Sequence, residues 1–557
     1  MTFSRRDLFI GGAGIAAGIA FTPVPWKLLG DVSIWTQNWP WIPQPSRGPV
    51  ESKRSVCTLC AAGCGIRVRM AAGWPVGISG VATNPITKGA LCPLAFAAQQ
   101  LNFHPQRLRA VRHRGRTASW NDAQAAFQKA CQDGPLLIVD SRPGRAASSI
   151  LQAFAATHSG DYRVLLGQDS QALAPYAAWN GVATSALGYD LENARTIVSF
   201  GVSLLDGWGT PGRFTRLWSE KAAGRSDPEL RLMQIEPSLS RTAARAWRWT
   251  AIRPGSDAAL AAGLAHVLIE EHLVNPHQLV PPQTSLIDAV AQTGLSAETI
   301  RALAHTMVQR RPVVALACGS DPTIAALNVV LGAVGTSGGV VLRSNSRVLE
   351  IPVEPSTKGY SAVLLDDTIP WGFDPQPNAE VFRFAAWDGG GNQGDWLLPA
   401  PGFLEALTDV PAAPALNAET YSIAQNLLPQ PEQVKTPVQF LAQIDSTLPP
   451  VEKAIQARCQ EIFHAKRGVV FGEQVVAVAN FESTAKLEEQ LRNGAVWVGE
   501  PRHPAPWKCA LQQWPSATSP WHSADWSAAW DPVVLPPLAT KLYQESDLRE
   551  APARSNT

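Results

Sequence analysis

The sequence predicts an α/β protein of several domains, and three observations lead there. Short apolar runs that read as buried strands alternate with helix-length runs from residue 119 to about 445, as in parallel sheets covered on both faces. A cysteine- and glycine-rich module at 50–118 precedes them. At 557 residues the chain is too long for one hydrophobic core, and roughly three or four domains are expected. The composition is that of a globular protein, with 45% hydrophobic and 17% charged residues. A net charge of +1 argues against nucleic acid as the main partner. Eight cysteines are too few for a disulfide scaffold at this length.

Residues 1–49 read as a targeting signal and a proline-rich linker. Arg5 and Arg6 precede an apolar, glycine-rich run in "MTFSRRDLFIGGAGIAAGIAF", which is the order of a signal peptide. The paired arginines point to the twin-arginine route, which exports proteins already folded. Leu8 to Ala20 is short for a membrane span, which needs about 20 apolar residues. The signal is either cleaved after the small residues at 18–20 or kept as an anchor. "GAGIAA" at 12–17 mimics a dinucleotide-binding loop, but no strand precedes it.

After the module at 50–118, a first α/β domain is expected over 119–300. It holds a helix at 119–132 capped by Ser119 or Asn121, strands at 135–141, 162–167, 195–201 and 230–237, a helix at 146–158, and an amphipathic helix at 257–274. A second is expected over 301–445, with strands at 312–318, 339–343 and 381–387 and a helix at 323–334. From 446 to 557 the reading is a helix around "VEKAIQARCQEIFHAK", one strand at 494–500, and an extended tail rich in tryptophan and proline. Trp26, Trp35, Trp39 and Trp41 near the start, and Trp507, Trp514, Trp521, Trp526 and Trp530 near the end, suit segments lying on a partner or on the protein itself.

The chemistry-bearing motif is C-x2-C-x3-C-x27-C, formed by Cys57, Cys60, Cys64 and Cys92. Four thiolates brought together hold zinc or an iron–sulfur cluster, and in an exported protein disulfides are a third reading. Structural zinc usually takes two C-x2-C knuckles, whereas a tight trio with one remote cysteine suits three corners of a cubane and its fourth. Gly63 and Gly65 would let the chain bend around the sulfurs. Cys131, Cys318, Cys459 and Cys509 are scattered and read as small buried apolar residues.

The cysteines, together with "HPQRLRAVRHRGRTASWNDAQAAF" (104–127), "YDLENARTIVSFG" (189–201), "IEPSLSRTAARAWRWTAIRPGSDAALAAGLAHVL" (235–268), "LGAVGTSGGV" (331–340) and "GDWLLPAPGFLE" (394–405), resemble the molybdopterin oxidoreductases, or complex iron–sulfur molybdoenzymes. The resemblance runs in order from about 54 to 445. It implies a small iron–sulfur domain, two Rossmann-like α/β domains facing a pterin-bearing cleft, and a [4Fe-4S] cluster on Cys57, Cys60, Cys64 and Cys92. Within the family the chain is similar to the molybdopterin-like subunits of the menaquinone reductase (Qrc) complex and of alternative complex III.

Departures from the family pattern sharpen the expectation. Leu94 stands where electron-passing members carry a lysine two residues after the fourth cysteine. The metal-ligand position falls at Gln168, Asp169 or Ser170, and none is a cysteine, although Asp169 or Ser170 is chemically able to bind a hard molybdenum centre. The family's C-terminal β-barrel domain is expected to be reduced or missing. Asp257 matches the residue that holds a pterin dinucleotide's guanine, and as a bare helix-N-terminal carboxylate it would simply be stabilised by the dipole.

The resemblance therefore implies an electron-transfer subunit of a periplasmic, membrane-associated quinone oxidoreductase complex. It would have one [4Fe-4S] cluster and lack molybdopterin guanine dinucleotide. Its partners would be a ferredoxin-like iron–sulfur subunit, an integral membrane quinone-binding subunit and a cytochrome c subunit. An active molybdenum oxidoreductase using Asp169 or Ser170, and a purely structural subunit, are the alternatives. Three further features read as surface. "DGGGNQGD" (388–395) is a loop or a phosphate cradle. Arg107, Arg109, Arg112, Arg114 and Arg116 alternate as on a solvated or partner-facing strand. "EEH" (270–272) lacks a second histidine at helical spacing.

Overall fold

The computed structural model describes residues 4–21, 48–275, 282, 284–343, 359–366, 378–387, 395–413, 416–499, 511, 514 and 515. The chain divides into two units, residues 1–52 with 69–76 and residues 53–68 with 77–557. In the first, Arg5–Phe21 is a helix. Ser4 and Asp7 cap it reciprocally: the Ser4 hydroxyl accepts from the Asp7 amide at 3.2 Å, and the Ser4 amide donates to the Asp7 carboxylate at 3.0 Å. Its Leu8, Phe9, Ile10 and Ile15 are exposed. Among the described residues no helix is long and apolar enough to cross a membrane.

The second unit carries the site. Its residues 53–56, 65–68 and 77–80 belong to the strands Val50–Val56, Gly65–Ala71 and Trp74–Gly80, which lie in that order in a small sheet. Strands Val111–His113 and Arg116–Ala118 follow as a hairpin. Its two turn residues, Arg114 (φ 47°) and Gly115 (φ 82°), both have positive φ, as a two-residue hairpin turn requires. Two α/β sheets come next. One has four parallel strands in the order Arg248–Thr250, Arg231–Ile235, Thr196–Phe200, Val313–Ala317. By chain position this is 3-2-1-4, one half of a doubly wound sheet, with its switch point between Thr196–Phe200 and Val313–Ala317. The other has seven strands. Its parallel part runs Asp161–Val164, Leu136–Asp140, Ala362–Asp366, Glu380–Ala385, Trp396–Pro399, and the hairpin closes the far edge.

The two sheets are nested rather than consecutive, which differs from a division near residue 300. The chain lays down Leu136–Asp140 and Asp161–Val164, leaves to build the four-stranded sheet, then returns at Ala362–Asp366. Sequence periodicity sees only local elements, so it cannot register that strands some 220 residues apart are neighbours; Leu136 pairs with Ala362.

Local signals fared better. Ser119 caps Trp120–Asp133 through a capping box with Asp122. Leu136–Asp140 is buried at every position, as a central parallel strand should be. Phe127 packs edge-on against Phe382, with ring centres 5.0 Å apart, and this pair joins the helix to the sheet. The expected amphipathic helix at 257–274 is instead the helix Asp257–Glu270, buried almost all round. Helices Leu286–Thr293, Ala297–Gln309 and Pro322–Leu331 cover the faces that a surface helix would show to water.

Beyond residue 446 the structure holds three strands rather than the single one expected at 494–500, and they join two that precede them. Five short strands, Thr408–Pro411, Thr420–Ala424, Val496–Val498, Val469–Phe471 and Val475–Ala477, make an antiparallel sheet. Helices Val451–Ala465 and Thr484–Arg492 pack on it around Ile455, Cys459 and Leu487. Of the terminal tryptophans named above, Trp514 lies among the described residues and packs, with Leu511, against the core of the four-stranded sheet; the others, and Cys509, lie outside them.

Candidate functional site

Cys57, Cys60, Cys64 and Cys92 meet around one pocket whose wall also includes Leu59, Leu94, Pro211 and Gly212. The three-cysteine loop is a backbone knot: the Cys57 amide donates to the Cys64 carbonyl at 2.8 Å. Gly63 makes the loop possible, since its φ is +61° and a Cβ there would stand 2.9 Å from Val410 Cγ1. Gly65 serves differently from the bend expected of it. Its φ is not positive, and it leaves room for Asn84, whose Nδ2 would lie 2.8 Å from an added Cβ. Asn84 in turn holds the chain leading to Cys92, its Oδ1 accepting from the amides of Ile86 and Thr87 at 3.0 Å each. Cys92 caps the short helix Pro93–Ala97.

The electrostatics of the pocket ask for a cation. Burial pushes the Cys57 and Cys64 thiols well above their ordinary range, and the neighbouring cysteines push them further. Burial, then Cys92, then the Asp169 carboxylate push Cys60 up to about 12, against the Ala62 amide. Cys92 is raised by burial against the amides of Ala95, Leu94 and its own residue. Nearby backbone amides favour the thiolates, as they do around iron–sulfur centres.

All four thiols are free, so they form no disulfide. Among the described residues no three His, Cys, Asp or Glu side chains converge as one metal ion requires. A zinc site would bring every sulfur to about 2.3 Å from a single centre. A cubane binds each thiolate through a separate iron, so its ligands stand apart around a shared pocket. Four thiols around one pocket fit such a cluster.

A second feature lies beside this pocket. The helix Gln168–Asn180 begins at the expected metal-ligand position, and its first three residues are buried. Asp169 faces Cys60 electrostatically and accepts the Ser170 amide at 3.0 Å. Gln168 donates to Cys318 Sγ at 3.2 Å, and its Oε1 is buried without a partner. Cys318, read from sequence as a plain apolar filler, stands at the carboxyl end of Val313–Ala317, next to the switch point of the four-stranded sheet, where such sheets bind ligands. Burial, then the Asp257 charge, push its thiol up to about 12. Burial also pushes Asp257 up to about 6, opposed by its own amide and helped by Asp321 and Glu236. Asp169, Ser170 and Asp257 are therefore drawn to one region, linked through Gln168 and Cys318.

The unpartnered Gln168 Oε1 and the carboxylates suit a heterocycle rich in N–H donors. The same carboxylates oppose phosphate. A molybdenum–pterin pair fits this region only in part, and no chemical step is derived through it.

The switch point of the seven-stranded sheet is filled instead. Arg145 pairs there with Asp140 at 3.0 Å and with Asp366, all three buried. This network had no signal in the sequence, because Asp140 and Asp366 come from strands that only the fold makes adjacent.

Arg107 is not on the exposed face expected of its run; it is buried on Glu405. Glu271 pairs with Arg301 at 3.1 Å and His305 at 2.6 Å, as a surface helix end does. Residues 388–394 of the glycine-rich loop lie outside the described residues.

A four-thiol module followed by nested parallel α/β sheets defines a cluster-bearing oxidoreductase scaffold. Residues 50–102 match the molybdopterin oxidoreductase Fe4S4 domain and residues 113–405 the molybdopterin oxidoreductase domain, so the chain belongs to the molybdopterin oxidoreductase family. It is 31% identical over 400 residues to the menaquinone reductase, molybdopterin-binding-like subunit, of Nitratidesulfovibrio vulgaris, covering 67% of this chain and 56% of that protein. It is 24% identical over 387 residues to the thiosulfate reductase molybdopterin-containing subunit of Salmonella typhimurium, covering 62% and 48%. The chain thus spans about half the length of these relatives. The fold is similar to that of acetylene hydratase from Pelobacter acetylenicus, with TM-score 0.62 and 14% identity over 83% of this chain and 76% of that one.

Proposed function

We propose that this chain is the electron-relay subunit of a membrane-associated quinone oxidoreductase complex. Cys57, Cys60, Cys64 and Cys92 would hold one [4Fe-4S] cluster, on a family scaffold that works without molybdenum. The observation that carries this is the wall of the four-thiol pocket. Leu94 lines it, and an aliphatic side chain offers no charge through which to couple the pocket to a pterin. The likeness to a subunit named molybdopterin-binding-like supports the reading. Bound there, the cluster supplies one-electron transfer; the protein's part is to bury the thiolates, direct amides at them and set their potential.

Metal analysis of the purified chain tests this. About four iron and no molybdenum per chain are expected, with visible absorbance that bleaches on reduction. Stoichiometric molybdenum would overturn it in favour of the second reading, an active molybdenum enzyme, which the buried Asp169 beside Cys60 favours. Iron-free protein would leave a structural subunit.

The periplasm is the proposed location, reached through Arg5 and Arg6. The partners would be a ferredoxin-like subunit, a quinone-binding membrane subunit and a cytochrome c subunit. Replacing both arginines with lysine keeps the charge and removes the pair the export route reads. Periplasmic protein should disappear on fractionation while total protein persists; unchanged export would remove the twin-arginine assignment.

A further inference from the structure

A helix end stands against the four-thiol pocket, and its own cap leaves it open. Pro211 and Gly212, the first two residues of the helix Pro211–Lys221, line the pocket. A Cβ on Gly212 would stand 3.5 Å from Cys64 Sγ, 3.2 Å from Thr87 Cγ2 and 3.0 Å from the Ala90 carbonyl oxygen. The last two approaches are crowded, so a larger residue would push the helix away from the cysteine segment. The first amides of a helix have no partner within it, and an N-cap side chain ordinarily accepts from the second or third, here those of Gly212 and Arg213. Thr210 is the N-cap, and its side chain makes no such bond. Its hydroxyl is instead buried without a partner among the described residues. The first turn holds no acid, and Asp206 in the pocket wall pairs with Arg241 at 2.8 Å.

The helix is also fixed from behind. Arg216 Nε donates to the Ile86 carbonyl at 3.1 Å, and Lys88 pairs with Glu220 at 3.5 Å. Both tie the helix to the segment that Asn84 orders on the way to Cys92. Arg213 and Arg216 both pair with Glu192, through Arg213 Nε at 2.7 Å and Arg216 Nη2 at 3.1 Å. With those guanidiniums paired, the helix brings the pocket its dipole, equivalent to about half a positive charge.

We infer that the amino end of Pro211–Lys221 raises the reduction potential of a cluster in the four-thiol pocket, and that Gly212 is the positioning residue that admits the helix there. One-electron reduction adds one negative charge to such a cluster, and a positive helix end favours the more negative state. The inference rests on the reading that the four thiols hold a cluster.

Redox titration of the full, iron-loaded chain with dithionite, followed by visible absorbance, tests this. Thr210→Asp supplies a preferred cap that keeps the helix, while its charge opposes the dipole. It should keep about four iron and shift the one-electron equilibrium about tenfold toward the oxidised state, a potential about 59 mV lower. Thr210→Asn caps without charge and should lower the potential by less. Ser296→Asp makes the same change at the exposed cap of Ala297–Gln309, a helix that does not line the pocket, and should leave the potential unchanged. An unshifted potential in Thr210→Asp, or an equal drop in Ser296→Asp, overturns the inference. Loss of iron from both Thr210 variants would make the helix end part of cluster binding and overturn its tuning role. A wild-type chain that holds no iron removes the cluster reading and this inference with it, whereas iron-loaded variants at the wild-type potential remove this inference alone.

Discussion

Replacing Cys64 with alanine is expected to abolish the cluster while leaving the chain folded. Cys64 is 5% exposed, and its thiol lies within electrostatic reach of Cys57, Cys60 and Cys92, so it belongs to the same donor set. The loop itself is held by the Cys64 carbonyl, which accepts the Cys57 amide and survives the substitution. Iron content should fall from about four per chain to near zero, and the bleachable absorbance should vanish. A cofactor bound a thousandfold above its dissociation constant stabilises the folded state by about 4 kcal/mol. The thermal midpoint of the variant should therefore match that of wild-type protein stripped of iron and lie below that of the loaded protein. Full iron in the variant would remove Cys64 from the ligand set. A midpoint well below the stripped wild type would show that the thiol matters to packing more than to metal.

How far such a site is legible in the sequence depends on how local it is. Three of the four cysteines fall within eight residues, and their spacing already suggests a cubane. Ser119 announces its helix because capping is decided within one turn. Leu94 is legible as a departure, though only the fold shows that it lines the pocket. Non-local features were silent. Gln168 and Cys318 are 150 positions apart and meet only because a helix N-terminus is set over the end of a parallel strand. The strands at 469–471 and 475–477 are three residues each, too short for alternation to be read; they pair with each other, and Val496–Val498 pairs with the first of them. Asp257 was legible as a helix-terminal carboxylate, but its burial beside Asp321 and Glu236, which raises its pKa to about 6, belongs to the assembled sheet.

Removing Arg145 should cost the most stability of any single substitution considered, and it should reverse the pH dependence of that part of the protein. Arg145 is the cation among Asp140, Asp366 and, through its charge, Asp409. Asp140 is fully buried, and burial alone would raise its pKa; Arg145, the Ser148 hydroxyl at 2.5 Å, the Arg142 amide and the Tyr162 hydroxyl at 2.8 Å together overcome this and hold it below the ordinary carboxylate value. Its ionised form therefore contributes stability above the unfolded pKa of about 3.9, which is lost as pH falls through the folded value. Breaking one side of a buried pair costs about 3–5 kcal/mol, because the remaining charge is left without compensation. Arg145→Met keeps most of the volume and removes the charge. Burial of Asp140 is then opposed only by hydrogen bonds, so its folded pKa should rise above the unfolded one. Such a group contributes its stability below the unfolded pKa and loses it as pH climbs through the folded one. Asp409, already raised by burial, moves the same way. Thermal midpoints measured at about pH 7.5 and about pH 5 should thus draw together for variant and wild type on acidification, and adding Asp140→Asn should recover part of the loss at the higher pH. A deficit that stays constant across that range, or grows toward acid, would mean that the Arg145 side chain supports the crevice by packing and not by charge.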